Sequence, residues 1–201
     1  LFPESVPERV RLREEPLAHL SVGVRSHRAR RWADWVNKFL SLRLDEAKEV
    51  VPDSREFPCF ITRDLEKARK WLREMWLQEP SYRIGLVATS EDQRLRAYGI
   101  EVSSSFRTSY PYEKWFLAPP SDVRSSYFLE VAATEFECQG LELDWVGVCW
   151  GSDLTPDNQL ANWIYRKFRG SRWLHVRSEI ERAYITNRYR VLLTRARKGM
   201  V

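Results

Sequence analysis

Two segments of the chain hold the residue types that handle phosphates and polar ligands. The first is Thr134-Glu135-Phe136-Glu137-Cys138-Gln139-Gly140-Leu141-Glu142-Leu143-Asp144, set between two apolar runs. Its glycine lets backbone approach a ligand closely. The second is Tyr189-Arg190-Val191-Leu192-Leu193-Thr194-Arg195-Ala196-Arg197. Arginine stays charged and offers a planar fork of donors, which suits phosphoryl oxygens. Such a cation stabilises the charge spread over a transferring phosphoryl group. Basic clusters occur at Arg25–Arg31, Arg166–Arg172 and Arg188–Lys198, with Trp163, Tyr165, Trp173 and the run Phe106–Trp115 as aromatic candidates. Single-stranded nucleic acid is held by cationic grooves with aromatic platforms. For any one of these aromatics a place in the core is the plainer reading, and the spacing of Trp32, Trp71 and Trp145 puts them in the core.

Other chemistries are excluded by what is missing. There is no G-x-x-x-x-G-K-[ST] loop, no G-x-S-x-G elbow, no H-E-x-x-H helix and no G-x-G-x-x-G turn. His19, His27 and His175 are scattered without metal-ligand spacing, so no metal site is expected. Asp53, Glu56 and Asp64 could serve a nuclease, but solvated charged helix faces account for them. Cys59, Cys138 and Cys149 are an odd number with no C-x-x-C pair, which speaks against a disulfide framework or zinc ribbon and for a reducing, cytoplasmic setting. Pro3, Pro7 and Pro16 interrupt any leader-like apolar run.

The elements that position these segments follow from periodicity. The 201 residues are 43% hydrophobic and 30% charged, with net charge +5, an ordinary globular composition that excludes disorder, collagen-like repeats and a simple membrane span. Such a charge permits a nucleic-acid partner without requiring one. Residues 1–19 read as an irregular lead-in. Apolar positions at helical spacing predict helices from Arg28 to Leu44 and from Leu65 to Met75, the second capped by Thr62. Ile84–Ala88 predicts a strand, followed by a capping box at Ser90–Gln93 and a short helix ending at Gly99. Residues 103–125 read as a long loop or insertion, Tyr127–Ala132 and Trp145–Trp150 as strands, and Asn158–Phe168 as a helix. A final helix is expected over Glu179–Arg197, stopped by Gly199, with Met200-Val201 opening a further strand. On that helix Arg188 and Arg195 share one flank, and Arg190 and Arg197 the other, at about 100° per residue. Continuous apolar strands alternating with helices predict an α/β parallel sheet covered on both faces.

In this order and context, the two segments resemble motifs V and VI of superfamily 1 helicases. In particular, Q-G-L-E-x-D-x-V-G-V followed by Y-R-V-L-L-T-R-A-R-x-G-M is similar to the Schlafen-like (group 3) DNA/RNA helicase domain family. The resemblance covers 130–201 well and extends more weakly to Leu20–Ser26 and Ile84–Ile100. The chain departs from the common motif V by carrying Glu135-Phe136 where helicases often have a histidine.

The resemblance implies a three-layer RecA-like lobe over residues 20–201, without its own P-loop and truncated at both ends. It implies a parent that hydrolyses ATP with Mg2+ and moves on, unwinds or remodels single-stranded DNA or RNA. The P-loop and metal ligands would sit on an N-terminal RecA-like lobe. In that picture Arg195 is the arginine finger and Arg25 a second phosphate contact. Gln139, Gly140 and Glu142 meet the nucleotide, and Thr134 touches the nucleic-acid backbone. The alternatives are a non-enzymatic nucleic-acid-binding module and a pseudo-ATPase scaffold that recruits a protein. No membrane partner is expected.

Overall fold

Ile84–Ala88, five apolar residues in a row, form the central strand β1, buried along its whole length. It pairs in parallel with β2 (Ala132–Thr134) on one side and β3 (Leu143–Cys149) on the other. Strand β7 (Ala196–Met200) lies parallel beyond β3, giving the order β2-β1-β3-β7. This computed structural model describes residues 27–201, so the lead-in 1–19, the segment 20–26 and Arg25 lie outside the described residues.

Both faces of the sheet are covered, as continuous apolar strands require. Leu86 and Ala88 pack with Leu72 of α3 (Leu65–Gln78), Leu95 of a 3-10 helix (Gln93–Tyr98), Ile100 and Leu129. On the opposite side Val87 and Val146 meet Trp115 of α5 (Tyr112–Leu117), Leu192 of α6 (Glu179–Leu193), and Trp32 and Val36 of α1 (His27–Leu40), which the short α2 (Leu44–Val50) follows. The Trp32 indole N–H donates to the Leu193 carbonyl at 2.6 Å, tying the first described helix to the last. The result is the three-layer α/β arrangement of a RecA-like lobe, and β1 runs into Thr89–Asp92 rather than a glycine-rich phosphate loop.

Several elements differ from the periodicity reading. Residues 103–125 hold two short helices, α4 (Ser104–Ser109) and α5, organised by Trp115, which is buried and donates to the Val131 carbonyl at 2.9 Å. The strand expected at Tyr127–Ala132 begins only at Ala132, because a 3-10 turn (Ser126–Phe128) and Leu129 at φ +59° come first. Asn158–Phe168 is not a helix. Strands β4 (Leu154–Pro156), β5 (Trp163–Arg169) and β6 (Arg172–His175) form an antiparallel sheet there. Its period is two, with Trp163, Tyr165 and Lys167 turned to the body of the protein, and Gly170 at φ +60° closes the hairpin. The caps also move. Asp64, not Thr62, accepts the N–H groups of Glu66 and Lys67, and Asp92, not Ser90, accepts that of Arg94.

Helix α6 stops at Leu193, and Thr194 makes its end, so Gly199 lies inside β7 instead of ending a helix. The need for glycine there is steric. A Cβ would stand 2.5 Å from the Pro58 carbonyl oxygen and 2.6 Å from the Trp145 ring. Pro58–Phe60 pairs with the outer edge of β7 through Met200, in both directions. Gly199→Ala should therefore push that segment away and cost about 1–3 kcal/mol, the usual range for overpacking. An unchanged urea midpoint would refute this.

Burial also sets the thiol chemistry. It pushes Cys138 and Cys149 up to about 12, against an ordinary value of about 8.5. Between these values the unfolded chain gives up its thiol protons while the folded chain keeps them, so stability falls as pH rises. The urea midpoint should drop above pH ~9, and a Cys138→Ala/Cys149→Ala variant should lose much of that alkaline slope.

Candidate functional site

In open parallel sheets ligands meet the carboxyl ends of strands where the chain switches direction across the sheet. Here the chain goes from β1 to β2 on one side and then to β3 on the other, so the switch lies between β1 and β3. The strand ends deliver Thr89 and Ser90, Glu135, and Gly151–Asp153 to this edge. Helix α6 inserts Arg188 among them. Its Nε lies 2.7 Å from Glu135, one Nη lies 3.1 Å from Asp153, and the other lies 3.8 Å from Glu91.

The carboxylates are shared further. Ser90 donates its N–H and its hydroxyl to Glu135. Thr89 and Tyr189 donate hydroxyls to Asp153, and the Gly151 N–H reaches the Tyr189 oxygen at 3.1 Å. Asp153 and Thr89 are fully buried. Burial pushes the Asp153 carboxyl above its ordinary range, against the opposing pull of the Tyr189 and Thr89 hydroxyls and of Arg188. Burial first, and Asp153 second, push the Tyr189 phenol well up.

The segment after β2 forms the second half of the site. Thr134 is fully buried, and its N–H and hydroxyl both donate to Glu137, at 2.9 and 2.5 Å. Glu137 also accepts Arg107 of α4 at 2.9 Å. Gln139 and Gly140 are exposed. Gly140 sits at φ +83°, a turn that favours glycine, with open space where a Cβ would be. Glu142 pairs with Arg197 at 2.7 Å.

Arg195 lies just past α6 and is only 7% exposed. It donates to the carbonyls of Val191 at 2.9 Å, Cys138 at 3.3 Å and Leu141 at 3.1 Å. Because the helix ends at Leu193, Arg188 and Arg195 do not share a flank. They grip the same loop at two points: Arg188 holds Glu135, and Arg195 holds Cys138 and Leu141. Arg190 turns away to Asn37 of α1 at 2.8 Å.

Of the residues singled out in the sequence, Arg195, Gln139, Gly140, Glu142 and Thr134 thus converge on one loop, while Arg25 lies outside the described residues. Thr89 and Asp153 carried no motif signal, and Tyr189, which opens the second segment, was given no role by it. They gain partners only when two strand ends and helix α6, 36 to 64 residues apart, meet. The rim of Gln139, the Gly140 backbone and the Glu142–Arg197 pair offers donors and acceptors to a polar ligand, with Arg195 behind it.

Among the described residues, no three or more His, Cys, Asp or Glu side chains group so as to hold a metal ion. No helix among them is long and apolar enough to cross a membrane. Comparison with curated proteins and with solved structures gives no match. The family described as Schlafen group 3, DNA/RNA helicase domain, matches residues 4–201, nearly the whole chain. The ordered pair of sequence segments, the parallel sheet and that match converge, and the chain belongs to the Schlafen group 3 DNA/RNA helicase domain family.

Proposed function

We propose that the chain is the second lobe of an ATP-dependent helicase or translocase, completing a nucleotide site shared with a lobe that carries the P-loop and the Mg2+ ligands. The observation that supports this most is the joining of Arg195 to the Gln139–Gly140–Glu142 loop across 54 to 57 residues of sequence, on a RecA-like sheet without a phosphate loop. The donor set fits ATP: arginines for phosphate, and an exposed glycine turn with a carboxylate beside it for the rest of the nucleotide. Bound ATP with Mg2+ supplies the phosphoryl group that is transferred to water.

The chain's own residues would act as follows. Lobe closure brings Arg195, with Arg25, toward the γ-phosphate. To get there the Arg195 guanidinium leaves the carbonyls of Cys138 and Leu141. A phosphate anion is the stronger partner, since charge-assisted hydrogen bonds are roughly twice as strong as neutral ones. Gln139 and the Gly140 backbone position the nucleotide, and Glu142 takes its ribose. Thr134 reaches a nucleic-acid backbone by exchanging its bond to Glu137.

The burial of Arg195 favours a second reading, in which the arginine is structural and the lobe is a binding module or pseudo-ATPase scaffold. The test is nucleic-acid-stimulated ATP hydrolysis by the parent protein, wild type against Arg195→Ala. Loss of turnover with ATP binding retained supports the motor, and unchanged turnover supports the second reading. The isolated chain, holding half a site, is expected to show no steady ATP turnover. Hydrolysis well above background that disappears in Arg195→Ala would contradict this.

A further inference from the structure

The antiparallel hairpin between β3 and α6 takes no part in the loop–arginine site, and its two faces differ. One face is spoken for. Trp163 donates to the Leu40 carbonyl at 2.9 Å, Tyr165 bonds Thr186, and Lys167 pairs with Glu181. Alternation puts Ile164, Arg166 and Phe168 of β5 on the other face, beside Trp173 and His175 of β6. Phe168 and Trp173 sit directly across the strands, with ring centroids 5.3 Å apart and edge to face. Trp163 and Tyr165 pack against the main core, whereas Phe168 and Trp173 belong to neither core cluster.

The charge on this hairpin is one-sided. From Asn158 to Ser178 there are five lysines and arginines (Arg166, Lys167, Arg169, Arg172 and Arg177) and no carboxylate. That is as much positive charge as the net +5 of the whole chain. Lys167 has its glutamate, but among the described residues no ion pair forms with Arg166, Arg169, Arg172 or Arg177. Arg169 and Arg172 are exposed and stand opposite each other across the strands, next to the turn. Like charges directly opposite destabilise a hairpin, and a polyanion lying along it removes that cost.

Resting on the reading that the chain acts on nucleic acid, we propose that the outer face and the tip of the β5–β6 hairpin form a single-strand platform: Phe168 and Trp173 stack bases beside Arg166 on that face, and Arg169 and Arg172, which alternation places on the Lys167 face, meet the phosphates at the exposed tip. Stacking on aromatics tolerates any base sequence, and arginines that track the backbone add a salt-dependent term. An acidic protein segment would satisfy the arginines but has no use for the paired rings.

The test is fluorescence anisotropy of labelled dT20 and U20 with the 201-residue chain across a salt series, without ATP. Arg169→Ala/Arg172→Ala should reduce the salt slope by about 1.4, two charges at about 0.7 each for a single strand. Trp173→Ala should weaken binding about ten- to a hundredfold, the range of base–aromatic stacking, and Trp173→Phe should restore most of it. The arginine variant alters only exposed side chains, so it reports even if Trp173→Ala disturbs the hairpin. Wild-type affinity and slope in these variants would overturn the proposal. So would absence of single-strand binding, or a stronger response to anionic phospholipid vesicles than to either oligonucleotide. Failure here leaves the motor reading intact, because nucleic-acid-independent ATP turnover of the parent does not use this face. Conversely, a parent without ATPase activity whose hairpin variants still lose binding sinks the motor reading alone.

Discussion

Arg188→Ala lowers the unfolding free energy by about 3–5 kcal/mol, the range for breaking a buried ion pair from one side. The variant strands two carboxyls. Asp153 is fully buried and Glu135 nearly so, and Arg188 is the cation between them. A typical domain has only about 5–15 kcal/mol in hand, so the loss should show plainly as a lower urea midpoint. It has a pH signature. Asp153 already sits above its ordinary range through burial, so its favourable contribution is present at low pH and fades as pH rises through that raised value. Removing Arg188 takes away one pull that lowers the Asp153 carboxyl, which moves further up, and acidification neutralises it. The gap between variant and wild type should therefore narrow as pH falls toward about 4, near the ordinary carboxyl range. A gap below about 1 kcal/mol at pH 7, the scale of an exposed pair, would show that Arg188 is not held as an ion in a dry site.

Arg195→Ala in the parent protein reduces ATP turnover by a hundredfold or more, since a cation that meets the transferring phosphoryl group is worth about 10³–10⁵ in rate. The same change also removes donors from the carbonyls of Cys138 and Leu141, and unsatisfied polar groups cost about 1–3 kcal/mol in stability. The two effects separate by kinetics. Loss of a transition-state contact lowers kcat with the nucleotide Kd retained. A collapsed Gln139–Gly140 turn weakens nucleotide binding as well. Arg195→Lys sharpens the comparison, because lysine keeps the charge but lacks the fork that spans two carbonyls. Turnover rescued by lysine would point to charge alone.

The apolar run Ile84–Ala88 and the spacing of Trp32, Val36 and Leu72 made the sheet and its two helical covers legible in the sequence, because burial on both sides leaves a continuous signal. The hairpin was not legible. Its seven-residue strand mixes aromatics with arginines on both faces, so neither helical nor alternating period stands out until the chain is seen against α6. The end of α6 was misplaced for a related reason. Val191–Arg197 keeps helical composition through Ala196, and only pairing with β3 draws it into a strand. In the site, the loop residues were visible as a motif, but the buried partners of Arg188 were not. Asp153 and Thr89 look like ordinary loop residues until two strand ends are brought side by side.

The bond from the Trp32 indole to the Leu193 carbonyl spans 161 residues. Its consequence is temporal. During synthesis α1 leaves the ribosome long before α6 exists, so Trp32, Val36 and Leu40 lack part of their cover until the last helix arrives. Contacts of such long sequence separation make folding slow and leave apolar surface uncovered meanwhile. Cells making this lobe therefore face a chaperone problem whose duration is set by translation speed, and a nascent chain stalled before Leu193 would be a substrate for quality control.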